Sequence, residues 1–474
     1  MERIDADICV IGAGSAGLSV AAGAAQLGAT TVLFEKGEMG GDCLNTGCVP
    51  SKSLVASARA AHAVGDAMRY GVDARLDRID YARAMDRVHQ VIAAIAPHDS
   101  QERFEGLGVR VVRAEARFTG PHSIEGGGVA VRARRLVVAT GSTAAVPPID
   151  GLDAFPYLTN ETLFDNSERP DRLLIIGGGP IGIEMAQAHR RLGSQVTVIE
   201  AGRVLPREDP EITNLLRDRL TEEGVEIVEG AKVKAVRKSV DGVEVMVDKD
   251  GERTVAASHI LVAAGRKPTV DGLDLERAGI EFTPKGIAVD DRLRTTNRKV
   301  YAIGDVVAGG PQFTHVAGYH AGIVIRNALF RLPAKVDYRA LPWVTFTDPE
   351  LARIGLTEDE ARQRHGDAVS VVRSPFAELD RALADGRTDG LIKIVVGKRG
   401  AILGVTILSE HAGELIHLWS LAMSQGLGLK AVASAIAPYP TLGEIGKKAA
   451  GAYYADKLFS PWPRHIVKFL ARFG

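Results

Sequence analysis

Residues 7–17 read Asp7-Ile-Cys-Val-Ile11-Gly12-Ala-Gly14-Ser15-Ala-Gly17, and an alanine-rich stretch runs to Leu27 before Thr31-Val-Leu-Phe-Glu35. An apolar run, three glycines spaced G-x-G-x-x-G, a helical pattern and a second apolar run ending in an acid give the order of a βαβ unit. Gly12 permits the tight turn out of the strand, Gly14 lets a pyrophosphate approach the first turn of the helix, and Gly17 lets helix and strand pack closely. Glu35 closes the second strand, where a carboxylate accepts ribose hydroxyls. The fingerprint predicts a dinucleotide-binding fold; the alternative is a glycine-rich turn without function.

The unit returns once. Arg172-Leu-Leu-Ile-Ile176 leads into Gly177-Gly-Gly179-Pro-Ile181-Gly182, a helix to Leu192 and Gln195-Val-Thr-Val-Ile-Glu200, so the first glycine and the closing acid keep the same separation in both copies. Each copy is followed by a short apolar strand ending in glycine, Leu136-Val-Val-Ala139-Thr140-Gly141 and Ile260-Leu-Val-Ala-Ala-Gly265. Two dinucleotide modules in one chain allow electrons to pass between two carriers, and the usual pair is a flavin and a nicotinamide.

A chain of 474 residues with 46% hydrophobic and 25% charged residues is globular and too long for one core. Lys+Arg 58 against Asp+Glu 59 leaves a formal charge of -1, which gives no electrostatic case for nucleic acid. Three cysteines exclude a disulfide framework and fit a reducing compartment. Met1–Asp7 carries three acids and no secretory pattern. A cytoplasmic protein is expected.

Residues 36–134 read as an insertion in the first module. Within it, Gly40-Gly41-Asp42-Cys43-Leu-Asn-Thr-Gly-Cys48-Val-Pro-Ser-Lys52 places two cysteines on the first turns of one expected helix, whose N-terminus lowers thiol pKa values. Two cysteines are too few for structural zinc, and no metal site is expected. The pair reads as a redox-active disulfide, with inert thiols as the alternative; Cys9, inside the first strand, reads as packing.

This cysteine motif, the two fingerprints and Tyr301-Ala-Ile-Gly304-Asp305 together resemble the class I pyridine nucleotide-disulfide oxidoreductases, which include dihydrolipoamide dehydrogenase, glutathione reductase and mercuric reductase. The resemblance spans essentially the whole chain. It implies an α/β fold of two Rossmann-like domains, one for FAD and one for NADH or NADPH, followed by an α+β dimerisation domain. Expected boundaries are 1–150 (FAD, with the cysteine helix), 151–270 (nicotinamide), 271–338 (second part of the FAD domain) and 339–474 (interface). By the same resemblance Cys48 is the thiolate stacked on the flavin in a charge-transfer complex, and Cys43 exchanges with substrate. Lys52 and Glu184 look like the ion pair beside the reacting flavin edge; the other reading of Glu184 is an acid favoured by the helix dipole. Asp305 after Gly304 matches the residue that holds the ribityl chain, and Thr314-His315 the helix start that receives the flavin ring. His315 and His320 also read as polar residues satisfied within the fold. The cofactor-binding set extends to Ser15, Lys36, Gly41, Asp42, Ala114, Ala139, Thr140, Gly141, Ile181, Val233 and Gly265. Glu200 repels a 2′-phosphate and favours NADH, while Arg203 and Arg207 leave NADPH open.

From about Leu341 the pattern turns to strands and helices, with Trp343–Glu350 and Gly390–Val396 as strands. The resemblance implies an intertwined homodimer in which this domain of one subunit completes the active site of the other. Where dihydrolipoamide dehydrogenase and glutathione reductase have a histidine followed by an orienting glutamate, this chain reads Pro438-Tyr439-Pro-Thr-Leu-Gly-Glu444. A phenol near pKa 10 is ill suited to shuttle protons at neutral pH. Tyrosine there resembles mercuric reductase, though no second cysteine pair stands at the C-terminus; the other reading of Tyr439 is a packed interface aromatic. The expected acceptor is therefore a small molecule, a disulfide or a thiol-bound soft metal ion. The alternatives are a dihydrolipoamide dehydrogenase and, in another class, a thiol redox sensor or membrane-docked electron-transfer partner. The tail places Ile466, Phe469, Leu470 and Phe473 at helical spacing, with Arg464, Lys468 and Arg472 on other faces. It reads first as a docked terminal helix and second as an interfacial one.

Overall fold

The computed structural model describes residues 1–240 and 242–473. The elements begin with β1 (Glu2–Ile11), α1 (Ser15–Gln26), β2 (Thr31–Glu35), α2 (Gly41–Asn45), α3 (Cys48–Asp66), α4 (Tyr81–Ile95), α5 (Gln101–Gly106), β3 (Val109–Arg113), β4 (Arg117–Gly120), β5 (Ser123–Gly126) and β6 (Val129–Val138). The second module follows a short β7 (Ser142–Ala144) and comprises β8 (Arg172–Ile176), α6 (Pro180–Arg191), β9 (Gln195–Glu200), α7 (Pro210–Glu222), β10 (Val225–Glu229), β11 (Lys232–Ser239), β12 (Gly242–Asp248), β13 (Glu252–Ala257) and β14 (His259–Val262). Then come β15 (Arg266–Pro268), β16 (Phe282–Thr283), β17 (Gly286–Ile287), β18 (Val300–Ala302) and α8 (Thr314–Ala328).

The first sheet runs β3-β2-β1-β6-β5-β4, with β18 also pairing to β6. β3, β2, β1, β6 and β18 are parallel. The parallel strands β1 and β2 read as near-continuous apolar runs because both faces are covered: Ile8, Cys9, Val10, Val32, Leu33 and Phe34 have no exposed surface. β3 corrects the expected insertion. Residues 109–113 are the third strand of the module itself, so only the helices and the β4–β5 hairpin are extra. β18 shows why residues 271–338 return to the first sheet: they supply its last parallel strand. The second sheet repeats the arrangement as β10-β9-β8-β14, all parallel, with an antiparallel meander β11-β12-β13 beside it.

The C-terminal elements are β19 (Pro342–Thr345), β20 (Glu350–Gly355), α9 (Glu358–His365), β21 (Ser370–Pro375), α10 (Asp380–Ala384), β22 (Leu391–Val396), β23 (Ile402–Ser409), α11 (Ala412–Ser424), α12 (Leu429–Ser434), α13 (Glu444–Leu458) and α14 (Pro461–Leu470). They form an antiparallel sheet β19-β20-β23-β22-β21. Its core holds Trp419, Phe376, Ile392, Ile394 and Ile407. The expected single strand Trp343–Glu350 is two strands, broken over residues 346–349, which include a cis Asp348–Pro349 bond. At the tail, no residue of α14 is buried within the single chain.

By internal contacts the chain divides into residues 1–202 with 224–336 and residues 203–223 with 337–474. Both dinucleotide modules fall in the first unit. α7, although it lies in sequence inside the second module, groups with the C-terminal sheet. The reason is a buried cation: Lys393 Nζ on β22 lies 2.8 Å from Asp209 at the start of α7, 2.8 Å from Glu211 and 2.9 Å from Glu358. Burial works against the Lys393 ammonium, but its carboxylate partners hold its pKa above the usual value. Burial likewise opposes the Glu358 carboxylate, which Lys393, Arg362 and Arg373 nonetheless bring down to about 2.

Candidate active site

The two modules use the same backbone devices. Gly12 has φ +103° and a Cβ there would stand 2.4 Å from Ala139 O; Gly177 has φ +114° and the same distance to Ala263 O. A Cβ on Gly17 would lie 1.8 Å from Gly12 O, and one on Gly182 would lie 2.0 Å from Gly177 O. Gly14 and Gly179, by contrast, face open space: the nearest atom to a Gly14 Cβ is 4.0 Å away, and none lies within 4 Å at Gly179. These two glycines precede α1 and α6, neither of which has a side-chain cap or an acid in its first turn. Free N–H groups behind a surface that a methyl would fill make a cradle for a pyrophosphate, so the residues fit both dinucleotides.

Glu35 and Glu200 occupy equivalent positions. Glu35 accepts from Ala13 N at 2.5 Å and Gly37 N at 2.6 Å, and Glu200 from Gly178 N and Gly202 N, both at 2.7 Å. Each carboxylate is thus fixed beside its glycine loop with lone pairs left for a ribose. Lys36 pairs with Glu115 next to Ala114. Ala139 is buried, Thr140 Oγ1 donates to Thr269 O at 2.7 Å, and Gly141 turns at φ +67°. Ile181 is exposed in the first turn of α6, Val233 is half-buried on β11, and Gly265 follows β14 at φ +128°. Arg203 turns its guanidinium to the Glu208 and Pro206 carbonyls.

The cysteines do not share one helix. Cys43 lies in α2 and Cys48 is the first residue of α3, with the chain broken at Thr46–Gly47 between them. Both are free thiols in hydrogen-bond contact. Cys48 Sγ also lies 3.4 Å from Thr314 Oγ1 at the start of α8. The Cys43 thiol donates to Cys48 and, with help from the Thr314 hydroxyl and the Lys52 ammonium, lowers the Cys48 pKa to about 6 against the opposing effects of burial and Asp42. Donation to Cys48 and burial push Cys43 up, although Thr314 and Ser15 oppose this. The pair therefore keeps one proton, on Cys43, and one negative charge, on Cys48.

Lys52, one turn beyond Cys48, places Nζ 2.8 Å from Glu184 Oε2 on α6. His315 stacks on Phe313, with ring centroids 5.2 Å apart. His320 is buried and its Nδ1 accepts the Gly304 N–H at 3.1 Å, so it holds the turn that presents Asp305.

Sequence reasoning missed the polar frame around Asp42 and Asp305. Arg266 donates to Ser142 Oγ and O, both at 2.7 Å, and lies 3.3 Å from Asp42 Oδ2. Ser142 Oγ donates to Asp305 Oδ2 at 2.8 Å. Thr46 Oγ1 and Asn160 Nδ2 each donate to Asp42 Oδ1 at 2.9 Å. Burial raises the Asp305 pKa despite Ser142 and Arg266. Ser142 and Arg266 immediately follow Gly141 and Gly265, and residues just beyond the carboxyl ends of parallel strands face the ligand crevice. That position was the available signal.

Tyr439 and Glu444 lie in the second unit. Tyr439 is exposed, precedes a cis bond to Pro440, and donates from its hydroxyl to Asp380 Oδ2 at 3.1 Å. That bond to Asp380 raises its pKa, so the phenol is neutral at physiological pH. Glu444 accepts from Thr441 N at 3.1 Å and so clamps the turn carrying Tyr439. Asp380 had no motif to announce it.

The family model described as pyridine nucleotide-disulphide oxidoreductase matches residues 6–321, and that of its dimerisation domain matches residues 341–450. A mercuric reductase of Bacillus cereus is 36% identical over 95% of this chain and 72% of its own length. A dihydrolipoyl dehydrogenase of Geobacillus stearothermophilus is 35% identical over 94% of this chain and 96% of its own. A solved Cu(II) complex of the HOCl-induced flavoprotein disulfide reductase RclA from Escherichia coli superposes with a TM-score of 0.84 at 30% identity, covering 93% of this chain and 99% of that one.

Proposed function

The chain belongs to the pyridine nucleotide-disulphide oxidoreductases, FAD-dependent enzymes that use NAD(P)H, and from that premise we propose that it is an NADH-dependent reductase of a thiol-bound soft metal ion. The observation that carries the substrate is Tyr439. A neutral phenol held by Asp380 can steer or ligate a soft cation between thiolates, but it cannot exchange protons near pH 7 as an imidazole does. The 36% and 35% identities to the two kinds of relative do not discriminate between them, so our reading rests on the side chain at 439.

Bound FAD supplies a two-electron carrier between the nicotinamide hydride and the cysteine pair. The chain supplies the rest. Gly14 and Gly179 open the helix N-termini to the two pyrophosphates, and Glu35 and Glu200 hold the riboses. Glu200 followed by Ala201, with Arg203 bound to backbone carbonyls, supports NADH over NADPH. Lys52 and Glu184 keep a fixed charge pair one turn from Cys48, whose thiolate is stabilised while Cys43 holds the proton. Balanced for a divalent soft ion, NADH and Hg(II) give NAD+, a proton and Hg(0), with the cysteine pair cycling between disulfide and dithiol. The matched dimerisation domain supports a homodimer. In our reading Tyr439 of one subunit serves the cysteines of the other.

The test is anaerobic reduction by NADH followed by mixing with lipoamide or with Hg(II) buffered by excess thiol. Rapid oxidation of the dithiol by Hg(II) and not by lipoamide is expected. The reverse would make the chain a dihydrolipoyl dehydrogenase that finds its proton donor away from position 439. A single reduction without turnover on either acceptor would indicate a sensor.

A further inference from the structure

The last helix packs only loosely on its own chain. Among the residues of α14 none is buried, and Trp462, Phe469 and Leu470 expose 74%, 56% and 57% of their surface. At 3.6 residues per turn, Trp462, Ile466, Phe469 and Leu470 fall within an arc about 100° wide. Phe473, edge-on to Phe469 at 5.2 Å, extends it by a turn. Arg464 and Lys468 occupy the opposite arc, with Arg472 continuing it. From Lys457 to Phe473 the chain carries four lysines and arginines and no acid.

Two observations bear on what covers this face. The match to the dimerisation domain ends at residue 450, before α14 begins. A second copy packed on the apolar arc would leave the basic arc, on the far side of the helix, without a partner of opposite charge. An anionic surface matches the basic arc, and acyl chains match the apolar one. An exposed indole within the apolar arc, as at Trp462, is a usual anchor at the membrane interface.

We propose that α14 is an interfacial anchor that lies flat on a bilayer containing anionic phospholipid, with Trp462, Phe469 and Leu470 among the acyl chains and Arg464, Lys468 and Arg472 at the phosphates. Attachment needs both arcs. Charge brings the helix to the surface, and apolar burial holds it there.

The test uses the full-length, FAD-loaded enzyme and flotation on vesicles of phosphatidylcholine alone or mixed with phosphatidylglycerol in roughly equal parts. Wild type should float with the anionic vesicles only, leave them on added salt, and show a blue shift of Trp emission that Trp462→Phe abolishes. The doubly substituted Phe469→Ser, Leu470→Ser protein and the Arg464→Glu, Lys468→Glu protein should each lose partition by about ten-fold or more. Both should keep wild-type NADH oxidation with ferricyanide, because these side chains are exposed and outside the redox site. Failure of wild type to float, or flotation indifferent to either pair of changes, overturns the proposal. So does an oligomer that dissociates in the serine variant without any vesicle binding, which would assign the face to a second copy.

Discussion

Lys52 and Glu184 are 132 residues apart in the chain, yet the ammonium of one lies 2.8 Å from the carboxylate of the other. The carboxylate is the buried partner, at 5% exposure against 35% for the lysine. Because Lys52 also helps hold the Cys48 thiolate, the pair sets a charge balance one turn from the redox sulfur.

Titration of the dithiol protein by ultraviolet thiolate absorbance should show a midpoint of about 6, absent in Cys48→Ser. Lys52→Met removes a favourable cation and should raise that midpoint. Glu184→Gln removes the charge that offsets Lys52 and should lower it. Shifts of the same sign in both variants would mean that the ion pair acts only by holding the fold.

The glycine contacts separate the cofactors. Gly17→Ala drives a Cβ to 1.8 Å from Gly12 O, and Gly182→Ala drives one to 2.0 Å from Gly177 O, so each pushes a helix off its own strand. The first should yield protein with depleted flavin. The second should keep flavin but raise the KM for NADH by about ten-fold or more, equivalent to ~1.4 kcal/mol. Flavin content and initial rates distinguish the two.

Tyr439→His should confer disulfide turnover, since a positioned acid/base contributes roughly 10²–10⁴-fold. Tyr439→Phe should depress Hg(II) reduction while leaving NADH oxidation by ferricyanide unchanged. Parallel assays with lipoamide and thiol-buffered Hg(II) measure both. Equal lipoamide rates in wild type and Tyr439→His would remove the argument from the phenol.

Two buried imidazoles set an acid limit. Burial lowers both His189, which lies 3.2 Å from the Tyr81 hydroxyl, and His320 to about 4. An unfolded histidine titrates near 6.5, so the unfolded chain takes up these protons first. Stability is full above about pH 6.5 and falls as the pH drops toward 4, by up to about 3 kcal/mol per imidazole. Urea unfolding across that range should show the slope, and His189→Gln should flatten it.

Lys393→Met leaves Asp209, Glu211 and Glu358 facing one another without their cation. Breaking a buried ion cluster from one side costs about 3–5 kcal/mol. The loss should appear as a lower unfolding midpoint for the C-terminal unit, read from the near-ultraviolet signal of buried Trp419.

The fingerprints were legible because their physics is local. Gly12, Gly17 and Glu35 act on one another across a single βαβ unit, and the second copy repeats the spacing, so sequence distance carried the geometry. The Lys52–Glu184 contact crosses between modules and was visible only through the family resemblance. The frame of Ser142, Asn160 and Arg266 left no periodic signal, and only the place of Ser142 and Arg266 just past two strand-ending glycines pointed to it. Thr46-Gly47 breaks what the apolar pattern reads as one helix, since a positional break costs no change in hydrophobicity. Val109–Arg113 hid in the presumed insertion because five residues of strand, two of them charged, leave little periodic signal. The membership of α7 was hidden for another reason: Lys393 is far downstream of the helix it holds.

That distance has a consequence for biosynthesis. Asp209 and Glu211 leave the ribosome about 180 residues ahead of Lys393, which at ordinary rates of translation is roughly 10 to 40 seconds. Through that interval α7 is made but its anchoring cation is not, and its carboxylates stay hydrated. The unit with the two dinucleotide modules can settle during synthesis, whereas the unit matched by the dimerisation domain is completed only when the last strands arrive.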